Sequence, residues 1–166
     1  MFKKFLVTLL VFSSQFLFAE ENFLPFYKET THFQAFCFEE DKETTDEILQ
    51  VLEAFWNNWE NDFSTINSNY FFSDEKISVF IYPNVETFHQ FFLKNTFAPN
   101  WMIGWEGSDN QISMVSANNP GPEHTKESIL NLCKVCLSHI FLQNYYYQYN
   151  HLCDYLDIFE DYSRRT

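Results

Sequence analysis

Lys76-Ile77-Ser78-Val79-Phe80-Ile81-Tyr82, closed by Pro83-Asn84, is the stretch on which the fold turns. β-Branched and aromatic residues alternate along it as in a strand, and Pro-Asn ends the run. Toward the C-terminus, residues 85–93 read as a short helix with Phe88, Phe91 and Phe92 inward. Pro99-Asn100-Trp101 marks a loop, Gly104-Trp105-Glu106-Gly107 a short strand, residues 111–116 a further strand, and Asn118-Asn119-Pro120-Gly121-Pro122 a rigid turn. A long helix is expected over 125–147. Ile129, Leu132, Cys133, Cys136, Ile140 and Gln143 share one of its faces at the 3.6-residue period, with His139 at the edge. A last short helix is expected over 151–162.

Toward the N-terminus, residues 64–74 form a polar and aromatic connection. Before it, Thr44-Thr45-Asp46-Glu47 opens a helix, the acids lying near the positive end of its dipole. Ile48, Leu49, Leu52, Phe55, Trp56 and Trp59 carry that helix to about Phe63. Residues 32–38 alternate as a half-buried strand. Phe36 and Phe38 make its second face apolar as well. Residues 21–31 read as an irregular lead-in.

The first nineteen residues have the pattern of a secretory signal peptide: Lys3-Lys4, an almost wholly apolar run over 5–18, and the small Ala19 before the cut. Leu17 departs from the A-x-A form. An uncleaved anchor is the alternative, but Ser13, Ser14 and Gln15 interrupt the run, which is shorter than the ~20 residues a span needs. The expectation is an exported protein, periplasmic or extracellular, with no stable membrane span after cleavage. Residues 20–166 are one domain by size. The chain carries a net charge of −13, and −15 once Lys3 and Lys4 are removed. Such a charge argues against nucleic acid, whose phosphates demand Lys and Arg, and against anionic membrane. An aromatic content of 20% excludes a disordered acidic tail.

Cys37, Cys133, Cys136 and Cys153 allow three disulfide pairings in an exported protein. A local Cys133–Cys136 bridge on a helix would be strained. A zinc site from Cys133, Cys136, His139 and Cys153 is an alternative, although structural zinc sites usually place C-x-x-C in a turn. Buried thiols or one long-range disulfide are favoured.

Several of these stretches, in order and spacing, resemble a known family. They are Lys76 to Pro83 followed by Phe88; Pro99-Asn100-Trp101 with Gly104; Ile112-Ser113-Met114-Val115-Ser116; Asn119-Pro120-Gly121-Pro122-Glu123-His124; and Lys134-Val135-Cys136-Leu137-Ser138-His139-Ile140-Phe141-Leu142-Gln143. Over residues 32–143 the chain is similar to the peptidase-MA-like (gluzincin) domain of bacterial exported zinc metallopeptidases. The resemblance implies an α+β domain, a small mixed or antiparallel sheet packed on helices in zincin-like architecture. The family's H-E-x-x-H helix lies beneath an edge strand with which peptide pairs by β-augmentation. Matched by position, that strand is Ile112, Ser113, Met114, Val115 and Ser116.

H-E-x-x-H supplies two metal-binding histidines one turn apart and a glutamate base. Here the first histidine falls on His139, the base on Ile140 and the second histidine on Gln143. The third ligand, a glutamate in a W-L-x-E-G-like segment, has its nearest counterpart in Leu152-Cys153-Asp154, with Tyr155 for the glycine; Glu160 is a more remote acid. The chain ends at Thr166, before the helical region active relatives would carry. Loss of a positioned base removes about 10²–10⁴ in rate, and loss of the metal removes the nucleophile.

The function this implies is that of an exported metallopeptidase-like protein, catalytically inactive, acting as a binding or accessory module for a peptide or protein partner. The alternative is an active zinc-dependent peptidase with a non-standard ligand set drawing on His139 and Asp154. Zinc is the one cofactor either reading admits. His139 is expected as a core histidine hydrogen-bonded inside a helix–sheet contact, and His124 as a capping or surface residue. His32 and His89 receive no chemistry. Tyr145, Tyr146, Tyr147 and Tyr149 are expected to pack on the final helix. Ser138 cannot pair with His139, because neighbours on a helix point about 100° apart.

Overall fold

A computed structural model of the chain describes residues 24–63, 75–94, 97–107 and 110–152, with side chains as far as residue 146. The signal-like segment, Cys153, Asp154, Tyr155, Glu160 and all but the first two residues of the helix expected over 151–162 lie outside the described residues. Strand β3 (Ile77–Tyr82) is where the alternation placed it, at the centre of a five-stranded sheet. Its neighbours are β2 (Phe33–Phe36) and β5 (Gln111–Val115), both parallel to it, with Ala35 opposite Val79 and Val79 opposite Ile112. Parallel neighbours need a crossover, and the 22-residue helix α1 (Lys42–Phe63) supplies the one between β2 and β3. Two antiparallel strands finish the sheet, β1 (Phe26–Glu29) beside β2 and β4 (Gly104–Gly107) beside β5. The sheet is mixed and the fold class α+β, with order β1-β2-β3-β5-β4.

Two expectations are corrected here. The lead-in over 21–31 is not wholly irregular, because β1 pairs through it across a register shift between Phe26 and Lys28. The segment from Ile112 to Ser116 is not an edge strand: β5 pairs with β3 on one side and β4 on the other.

Helix α2 (Val85–Thr87) begins where Pro83-Asn84 stops β3, and the Asn84 side chain accepts from the Thr87 amide at 2.8 Å. It widens at once into a π-helical turn over Phe88–Phe92, with Leu93 N–H donating to the Phe88 carbonyl. Helix α3 (Lys126–Leu152) opens on a reciprocal cap: Ser128 N–H donates to Thr125 Oγ1 at 3.2 Å, and Thr125 N–H to Ser128 Oγ at 2.8 Å. Thr125, not His124, is the cap.

Helices α1 and α3 pack against each other on one face of the sheet. Trp56 of α1 joins the layers, edge-on to Phe33 of β2 at 5.8 Å and to Phe141 of α3 at 4.9 Å. Ile48, Leu49 and Leu52 of α1, and Ile129, Cys133, Cys136, Leu137, Ile140 and Phe141 of α3, are buried with Phe33, Ala35, Val79, Ile81, Ile112 and Met114 of the sheet. On the opposite face Phe36 stacks on Phe80 at 4.6 Å, which accounts for the second apolar side of β2.

Candidate functional site

Helix α3 lies close under β4 because Gly104 leaves room for it. A Cβ there would meet Leu132 Cδ2 at 2.7 Å. Two residues on, Glu106 reaches down and accepts a hydrogen bond from His139 Nδ1 at 2.8 Å. His139 therefore sits in a helix–sheet contact as expected, but not in the core: its side chain is 49% exposed. Cys136, one turn earlier on α3, shares the same carboxylate. Burial first, and then the Glu106 charge and hydrogen bond, drive its thiol well above the ordinary range. Burial also pushes Cys133 up to about 12, and its thiol is held by the Leu130 carbonyl. Cys37, Cys133 and Cys136 are free and buried, with no bridge between Cys133 and Cys136.

The other positions of the expected zinc helix are placed as follows. Ile140 is in the core, so no side chain there can take a proton from a water beside His139. Gln143 is half-buried on α3, one turn beyond His139. Among the described residues, no three His, Cys, Asp or Glu side chains are grouped to hold a metal ion. The Nδ1 bond to Glu106 leaves Nε2 of His139 able to ligate, but an amide, Gln143, stands at the second ligand position. This donor set does not fit a catalytic zinc, which takes three protein ligands and one water. Asp154, the remaining ligand candidate, is outside the described residues.

The residues expected to bind peptide lie inside the sheet. Ile112, Ser113, Met114, Val115 and Ser116 are all buried, and both backbone edges of β5 are engaged in ladders. Ser113 Oγ accepts from the Gln111 side chain at 2.7 Å. Ser116 Oγ donates to Asp41 Oδ1, tying the end of β5 to the segment after β2. Among the described residues, the outermost strand on this side is β4, which carries Trp105 half exposed. Just before β4, Phe97 and Trp101 are also exposed.

Glu106 is the residue that sequence reasoning missed. Its only signal was its position as the lone acid of a four-residue strand bounded by glycines, which does not by itself announce a partner 33 residues away. Compared with family models, with curated proteins and with solved structures, the chain matches none. No helix among the described residues is long and apolar enough to cross a membrane.

Proposed function

We propose that the chain is an exported, zincin-like protein without peptidase activity that binds extended peptide or protein segments along β4. The observation that carries this reading is the relation between β4 and α3. An antiparallel edge strand lies over the helix, with the position of the family's first zinc histidine hydrogen-bonded to that strand. This is the arrangement the resemblance implies, transferred from β5 to β4. Ile140 in the core and an amide, Gln143, at the second ligand position support loss of hydrolysis. Edge strands offer unpaired backbone groups for β-augmentation, and neighbouring aromatic surface supplies apolar contact for alternate side chains. Trp101, Trp105 and Phe97 give β4 that surface. Export rests on the signal-like pattern of residues 1–19.

The test joins an activity assay to a binding assay. Purified protein is expected to leave a peptide library uncut with or without chelator. Unlabelled extended peptides are expected to shift the backbone amide resonances of residues 104–107. Chelator-sensitive cleavage that disappears in His139→Ala would overturn the reading.

A further inference from the structure

The π-helical turn after α2 puts His89 where no hydrophobic-packing argument would. His89 is only 4% exposed, yet it lines an open cavity of about 420 Å³ together with Val85, Glu86, Gln90, Ala98 and Asn100. One ring nitrogen, Nε2, donates to the Met102 carbonyl at 2.8 Å. A carbonyl only accepts, so Nε2 carries the proton and Nδ1 of the neutral ring keeps its lone pair. Glu86 precedes His89 by three residues and shares its side of the helix. Among the described residues, the side chains of Glu86, Gln90 and Asn100 enter no hydrogen bond or ion pair. A buried, oriented imidazole and three uncommitted polar side chains thus converge on one cavity. π-Helical turns inside helices are frequent at functional sites.

We infer that this cavity binds a primary ammonium group. Glu86 supplies the negative charge, His89 Nδ1 an acceptor, and the Gln90 and Asn100 amide oxygens complete the set, while Val85 and Ala98 cover the carbon next to the nitrogen. An anion would face Glu86 and a chain of net charge −13. A bare metal ion would find two strong ligands in a space far larger than itself, whereas the volume suits a small organic molecule. The ammonium could come from a free amine or from the amino terminus of a peptide. The inference does not rest on the β4 reading, since none of these residues belongs to β4.

The experiment titrates the full chain with leucinamide, N-acetyl-leucinamide, and Leu-Ala-Ala-amide with its amino terminus free or acetylated. Binding is followed by calorimetry and by the ring nitrogen resonances of His89. Both free amines are expected to move the His89 signals, and acetylation to abolish the effect. Tighter binding of the free tripeptide than of leucinamide identifies a peptide terminus as the source; equal binding identifies a small amine. Glu86→Gln, an exposed and fold-neutral change, is expected to weaken binding about tenfold or more. Ala98→Leu should block the cavity with the Tm unchanged. Equal binding of acetylated and free compounds, silence of His89 toward every free amine, or unaltered affinity in Glu86→Gln would each overturn the assignment. Trp105→Ala serves as the control: it should leave amine binding intact even if peptide binding at β4 is lost.

Discussion

Two carboxylates show how single side chains set the pH response of this fold, with opposite signs. Asp41 is 3% exposed; Ser116 donates to Oδ1, while Oδ2 has no partner at hydrogen-bond distance among the described residues. Burial raises its pKa above the ordinary 3.8, against the lowering effect of the Ser116 hydrogen bond. A raised folded-state value means that its contribution is fully present below the unfolded pKa and is lost as pH rises through the folded one. Asp41→Asn should therefore stabilise the protein at pH 7, with no gain near pH 3, as read from denaturant midpoints. Glu53 behaves the other way. Burial alone would raise it, but hydrogen bonds from Thr30 and from the backbone and ring of His32 together hold it below 4.5. His32 N–H reaches one oxygen at 3.0 Å and Nδ1 the other at 2.6 Å, while the ring stacks on Trp56 at 4.2 Å. That stability is present above the unfolded pKa and lost as pH falls through the folded one. Glu53→Gln should cost about 1.5–3 kcal/mol at pH 7, and the deficit should close in acid. Neither carboxylate was legible in the sequence, where Asp41 follows two other acids, Glu39 and Glu40. Only the fold brings Ser116 to it across 75 positions.

At the scale of elements, periodicity carried most of what could be read. The β3 alternation, the α1 stripe and the buried face of α3 came through, because each depends on residues within a few positions of one another. What failed was the order of strands. Residues 111–116 and 104–107 are both short strands, and nothing local says which of them has a free side. The close approach of α3 to β4 was equally hidden, because it depends on the missing side chain of Gly104. Gly104→Val should push Leu132 and Met114 aside, at a cost of about 1–3 kcal/mol. The same variant should loosen the His139–Glu106 hydrogen bond, visible as a change in the His139 ring resonances. A variant of unchanged stability with those resonances unmoved would mean that α3 is not seated against β4. His139 itself was read half correctly. Its place between helix and sheet followed from the face of α3, but its exposure depended on Glu106.

For the molecule as a whole, the sulfurs report on integrity. Cys37, Cys133 and Cys136 lie in the core as free thiols, and burial raises all three pKa values. An alkylating reagent at neutral pH should leave these three positions unmodified in the native protein and reach them together at the rate of global unfolding. Rapid labelling of any one under native conditions would show that its surroundings open independently. The sheet that encloses them has a kinetic corollary. Its central pairings are parallel and non-local: Gln34 meets Ser78 across 44 residues, and the end of β5 is tied to the segment after β2 across 75. Loop closure on that scale must precede the contacts that reward it, so assembly of the β2-β3-β5 centre is a slow event for a chain of this size. Until it is complete, the apolar strands stay open to one another and to other copies, and the time spent in that state sets how readily the newly made protein aggregates.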